Sequence, residues 1–195
     1  MKISRFAFLP ATLLLLAGCA STTHQLNLLQ QTPVAAQQVQ NATVIVSSQS
    51  SVNSNIGTIT TGIGEQADLV VNNSPEAALA NELINQLKAQ GIVASQINTS
   101  NKPAHQLQLA ITELSYTTQT QALKTIATIS FKLNANVVAG TTNYKANYES
   151  ELVDEYGTLP DAYEVEASLD KLIRNTVARL VADPNVMTLL RRPLP

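Results

Sequence analysis

With one cysteine, no tryptophan and two histidines, the 195-residue chain has few side chains for binding metals or building nucleophile–base pairs. Such sites need several convergent His, Cys or carboxylate groups. His24 and His105 lie far apart in sequence, so each is expected at the surface, and no cofactor or resident metal is expected. Charge is scarce too. Asp, Glu, Lys and Arg make up 13% of the chain, against about a quarter in an ordinary soluble protein. Ser, Thr, Asn and Gln supply the polarity instead. Disordered chains are usually charged as well as polar, so 45% hydrophobic residues with a weak surface field point to a folded domain. The formal net charge is −2, and Arg191-Arg192 is the only adjacent basic pair. Phosphate backbones are held by clustered Lys and Arg, which excludes nucleic acid as an expected partner.

What is present begins at the N-terminus. Residues 1–5 carry Lys2 and Arg5, an apolar run extends from Phe6 to Leu16, and small residues Ala17 and Gly18 follow. This is signal-peptide architecture, and the run is short for a membrane-spanning helix. It ends at the one cysteine. The string Leu16-Ala17-Gly18-Cys19 resembles the bacterial lipobox. That resemblance implies a diacylglyceryl group on the Cys19 thiol, cleavage of residues 1–18 by signal peptidase II, and acylation of the new amine. Three acyl chains would anchor the protein stably, where a single chain binds only marginally. The residue after Cys19 is Ala20 rather than Asp, which by the same resemblance implies sorting to the outer membrane, facing the periplasm.

Residues 20–41 are rich in Ser, Thr, Gln and Asn without apolar periodicity, and read as a flexible tether behind the lipidated Cys19. A coil of that length would hold a domain roughly 25 Å from the bilayer. A single domain is expected over residues 42–195. Its first strand lies at residues 42–47, a long Ser/Asn/Gly-rich loop covers 49–64 with a short hairpin around 56–63, and a second strand starts at Asp68. Ser74, Pro75 and Glu76 mark a helix start; Leu79, Leu83, Ile84 and Leu87 form its apolar stripe, and Gly91 its C-terminal glycine. Strands follow at 92–97 and 107–111, then a turn at 117–121. Ala127 to Val137 alternate cleanly, Gly140 makes a turn, and Tyr144, Ala146, Tyr148 and Leu152 return on another strand. Val165 to Leu180 form an amphipathic helix ended before Pro184, with a further turn over 186–190. This order predicts an α+β two-layer sandwich, its mostly antiparallel or mixed sheet covered on one face by two helices.

The segments 126–135 and 142–148, with the lipobox, the 74–91 helix and the terminal helix, resemble the YajG-like family of bacterial lipoproteins. The resemblance implies no catalytic residues. Residues 152–164 are longer and more acidic than its pattern. The layer architecture is also similar to that of LptE-type envelope lipoproteins, a likeness of fold that does not extend to function.

Candidate chemistry concentrates between residues 144 and 166. Glu149, Glu151, Asp154 and Glu155 could supply a carboxylate pair for glycoside hydrolysis, but there is no tryptophan to stack on sugar and no EF-hand spacing for calcium. Four of the five tyrosines fall here. Tyr144 and Tyr148 share a strand face with Ala146 and are expected in the core; Tyr156 and Tyr163 are the better binding candidates. Thr128, Ser130, Lys132, Asn134 and Asn136 form a polar sheet face able to lie against an extended ligand. The expectation is a non-catalytic envelope lipoprotein, anchored by its lipid, that binds or scaffolds an envelope protein, peptidoglycan or lipopolysaccharide. The alternatives are a peptidoglycan-modifying enzyme using Glu149–Glu155 and a lipid- or lipopolysaccharide-handling protein.

Overall fold

The computed structural model describes residues 22–29, 43–60, 64–97, 104–157 and 159–193. The expected signal segment, Cys19 and most of the expected tether lie outside them. Among these described residues the chain is α+β: eight strands form one mixed sheet that curls into a half-barrel, accompanied by three helices.

The backbone of the fold is a long antiparallel meander, β6 (His105–Gln121), β7 (Lys124–Ala139) and β8 (Thr142–Tyr156). β7 contains the alternation expected from its sequence. Ala127, Ile129, Phe131, Leu133, Ala135 and Val137 are buried, and residues between them are not. In β6 the alternation changes phase at a bulge between Ile111 and Glu113. Leu107, Leu109 and Ile111 are buried before it, Leu114 and Tyr116 after it. A bulge adds one residue and re-aims those that follow. The turn expected at 117–121 is therefore corrected: β6 runs to Gln121, and the reversal falls at Ala122 and Leu123.

Two shorter groups of strands flank the meander along different halves of β6. β2 (Val44–Ser50) lies parallel to the first half, and β5 (Ala94–Ser95) lies parallel to β2. Beside the second half, β3 (Asn55–Thr60) meets β6 at one rung, Gly57 opposite Tyr116. A Cβ on Gly57 would lie 2.0 Å from the Tyr116 carbonyl oxygen, so only glycine permits this approach. β4 (Gln66–Val71) pairs antiparallel with β3, so the expected loop 49–64 holds the whole of β3 and the end of β2, and the hairpin expected around 56–63 is formed instead by 55–60 with 66–71.

β1 (Thr22–Leu26) then pairs parallel with β4, register Thr22 to Ala67 through Leu26 to Val71. This corrects the tether. Its first described residues are part of the sheet, and Leu26, Leu28 and Leu29 are buried. Burying a leucine contributes about 2 kcal/mol, and those three account for a docking that the polar composition of the segment concealed. Further bonds fix the turn after β1: Leu28 N–H donates to Asn73 Oδ1 at 2.9 Å, Asn27 N–H to Glu166 at 2.8 Å, and Leu29 N–H to Asp170 at 2.6 Å.

Helix α1 (Pro75–Ala89) begins as its sequence signals, with Ser74 Oγ accepting from Ala77 N–H and Pro75 in the first turn. Past its end, Gly91 adopts a positive φ of 77°, which lets Ile92 N–H turn back to the Leu87 carbonyl at 3.0 Å. Helix α2 (Ala162–Ala182) starts with a capping box between Asp161 and Glu164, three residues before the expected stripe. Asp183 then ends α2 and caps α3 (Pro184–Leu190), the expected extra turn grown to a short helix. Stripe residues of all three helices join the buried faces of the strands in one hydrophobic cluster. Between α1 and α2, Arg174 meets the buried Glu82 carboxylate at 2.8 Å, with Gln86 on its other oxygen at 2.8 Å.

Candidate functional site

The acidic and tyrosine-rich segment is divided between two faces of β8. Glu149, Glu151 and Glu155 alternate on the exposed face. There Glu155 pairs with Lys124 at 2.8 Å. Lys132 pairs with Glu113 at 2.9 Å; the Glu113 hydrogen bond and charge, with Glu149 adding its field, raise the Lys132 ammonium above its ordinary value. Asp154 and Tyr156 are on the other face, against α2. Ser168 Oγ donates to Asp154 at 2.8 Å, and Tyr156 is half-buried against the core. Burial raises the Tyr156 phenol first, with the charges of Asp154 and Glu164 adding to it. Tyr163 stands apart in the first turn of α2, 79% exposed. The six residues do not surround one concavity.

The inward side of β8 carries polar joints that fix the helices. Tyr148 and Tyr144 both donate to Asp183 Oδ2, at 2.8 and 3.3 Å. Burial pushes the Asp183 carboxyl upward, but hydrogen bonds from Tyr148, from the N–H groups of Asn185 and Val186, and from Tyr144 outweigh it and hold it below the ordinary range. Burial also raises the Tyr148 phenol well above its ordinary value, and the hydrogen bond to Asp183 raises it further. Tyr144 and Tyr148 are thus part of the packing, as their spacing implied.

His105 corrects another expectation. It is buried rather than exposed, with Nε2 2.8 Å from the Arg192 carbonyl oxygen. A carbonyl only accepts, so Nε2 carries the hydrogen, and Nδ1 is buried without a hydrogen-bond partner. The ring fastens the start of β6 to the segment after α3. His24 sits in β1 opposite Leu69. Among the described residues, no three His, Cys, Asp or Glu side chains are grouped to hold a metal ion.

The open face of the sheet does form a concavity, of about 540 Å³, where β2, β6, β7 and β8 run side by side. Gln49, Gln108, Asn134, Asn136, Lys145 and Asn147 line it. Period-two geometry brings them together: each faces away from the core on its own strand, and the register sets Asn136 between Gln108 and Lys145, Asn134 opposite Asn147. Asn136 Nδ2 donates to Gln108 Oε1 at 2.9 Å, while Asn136 Oδ1 has no hydrogen-bond partner. Amides present donors and acceptors together, and one lysine supplies the cation, so the surface suits a neutral polar chain carrying a carboxylate. The alternation of β7 signalled Asn134 and Asn136. The contributions of β2, β6 and β8 depend on pairing that sequence periodicity does not reveal.

No helix among the described residues is long and apolar enough to cross a membrane. No curated protein matches the sequence. Among solved structures, an uncharacterized protein is 14% identical, with a TM-score of 0.52 over 83% of this chain and 98% of its own. A Xanthomonas campestris protein of the DUF330 family is 13% identical, with a TM-score of 0.52 over 87% and 95%. At these identities the likeness is one of fold. A family model described as uncharacterized lipoprotein matches residues 30–191, and the chain belongs to that family, in agreement with its YajG-like resemblance.

Proposed function

We propose that the protein is a non-catalytic envelope lipoprotein that binds an extended peptide segment of another envelope component in the amide-lined groove. In this reading residues 1–18 are removed, Cys19 carries the acyl anchor, and Ala20 directs the protein to the outer membrane with its domain facing the periplasm. The helices form a second layer over the core side of the sheet, a two-layer arrangement supported by the single hydrophobic cluster they share with it. The other face is left for the partner.

The observation that carries the reading is the groove itself, a volume within the range of small-ligand sites but lined mainly by polar side chains, Gln108, Asn134, Asn136, Lys145 and Asn147 among them, with Leu109, Ala110 and Ala135 beside them. No aromatic ring lines it, which favours a peptide over a stacked sugar. The test is a titration of isotopically labelled protein with soluble muropeptides and, separately, with peptides from periplasmic domains. Saturable shifts centred on those five residues are expected, with affinity about tenfold weaker in an Asn134→Ala/Asn136→Ala variant, corresponding to the loss of one or two hydrogen bonds. Shifts elsewhere, or affinity unchanged by the variant, would refute the groove. Mass analysis of peptidoglycan after incubation separates this reading from the alternative of a carboxylate enzyme at Glu149 and Glu151.

A further inference from the structure

We propose that the end of the domain formed by the β6–β7 reversal and the start of α2 rests on the bilayer holding the lipid anchor, with Leu123 in the interfacial layer and Tyr163 at headgroup level. The proposal rests on the reading of Cys19 as acylated.

Chain length is the first argument. Thr22 is already paired in the sheet, three residues after Cys19. At about 3.3–3.6 Å per residue these steps span at most about 11 Å. A domain so tied cannot stand a tether's length above the membrane.

Strand direction shows which end comes down. Thr22 is opposite Ala67, Ala67 is opposite Ile59, and β3 runs parallel to β6 with Gly57 at Tyr116. The start of β1 is therefore level with the last turn-ward residues of β6, near Thr118. The reversal at Ala122 and Leu123 projects four or five residues farther, about 15 Å. Even a fully extended 19–22 segment brings Cys19 no farther out than this tip. With its acyl chains in the hydrocarbon, the tip is at the surface.

Exposure agrees with direction. Leu123 is 90% exposed and Tyr163 is 79% exposed. α2 runs antiparallel to β8, with Ser168 at Asp154, Thr176 at Ser150 and Asp183 at Tyr148, which sets Tyr163 level with the end of β8. Tyr156 at that end pairs with Thr125, two residues from Leu123. An aliphatic tip and an amphipathic ring are the side chains that suit the interior and headgroup sides of an interface. The exposed apolar pair Val93 and Ile97 flanks β5 at the opposite end, beside the start of β6. Nearby charge is mostly negative. Lys124 is paired with Glu155, while Glu65, Asp161 and Glu164 add carboxylates. This end suits zwitterionic headgroups and is repelled by anionic ones.

The absence of tryptophan makes the test direct. Mature, lipidated Leu123→Trp, Tyr163→Trp and Ile97→Trp proteins are placed in phosphatidylcholine vesicles containing brominated lipid. Leu123→Trp is expected to be quenched about twofold or more over Ile97→Trp, with Tyr163→Trp between them and all contrast reduced by added phosphatidylglycerol. In the unsubstituted protein, amides at 121–125 should gain exchange protection on vesicles. Mass spectrometry of the N-terminal fragment is read on the same samples. An acylated Cys19 with Leu123→Trp quenched no more than Ile97→Trp, or without protection at 121–125, overturns the docking and leaves the anchor standing. A Cys19 without acyl chains overturns both.

Discussion

The meander and the β1–β4–β3 arm are parts of one sheet, yet they are held together differently. In the meander each strand pairs with its sequence neighbour through a tight reversal, and β7 is paired along its whole length on both sides. In the arm, β1 finds β4 across an intervening segment, and the arm joins the meander at the single Gly57–Tyr116 rung. Local antiparallel pairing is specified by short-range alternation, whereas remote parallel pairing depends on the finished core. One part of the sheet is thus a scaffold and the other an attachment to it.

The strongest perturbation of the scaffold is Phe131→Ala. Its side chain is fully buried in the central strand, so a loss of about 3–5 kcal/mol is expected, read as a lower denaturant midpoint by every probe. A loss below about 1 kcal/mol would mean the meander is not the dominant core. Gly57→Ala strikes the seam, where the added Cβ would collide with the Tyr116 carbonyl. About 2–3 kcal/mol should be lost, with hydrogen-exchange protection falling at residues 22–26, 55–60 and 66–71 and persisting in β7. Equal loss of protection in β7 would make the two parts one cooperative unit.

A smaller effect separates them by pH. Asp183 joins the helices to the meander, and Asp170 joins α2 to the turn after β1. The Asp183 carboxyl is held low, so its stabilisation is present above the ordinary aspartate value of about 3.9 and is lost as pH falls through the lower folded value. Asp170 is raised, chiefly by burial, against the opposing Leu29 N–H and Arg174 charge. Its contribution has the opposite sign, full below the ordinary value and lost as pH rises through the folded one. Asp183→Asn keeps a competent helix cap but cannot ionise. It should flatten the loss of stability between pH 5 and 3 in urea melts, and an unchanged slope would rule out Asp183 as its source.

The same comparison explains what the sequence made legible. α1 could be placed from Ser74, Pro75 and Gly91, and β7 from its alternation, because capping and pleat are local. The sequence marks only residues 107–111 of β6, because the bulge after Ile111 puts Leu114 and Tyr116 out of phase, and because the last residues of the strand extend beyond the core and are polar. β1 leaves no sign in the periodicity, because three leucines in a Gln- and Thr-rich stretch show no period, and their value depends on β4 and α2 being in place. Of the groove, Asn134 and Asn136 could be foreseen; Gln49, Gln108 and Lys145 join them only through register. The grouped acids and tyrosines of β8 were scattered by the same alternation that grouped the amides.

β1 also has a mechanical consequence. Five successive residues, Thr22 to Leu26, are registered on β4, and the chain leading to Cys19 leaves from the Thr22 end. On the proposal that Cys19 carries the lipid anchor, a pull between the domain and its membrane would load this strand along its own axis. Its bonds to β4 would then bear the force side by side, instead of opening one after another as in a peeled hairpin, and the buried Leu26, Leu28 and Leu29 would have to slide out together. With Cys19 acylated as proposed, ending the anchor segment in a sheared strand would give the domain a firm mechanical grip on its membrane.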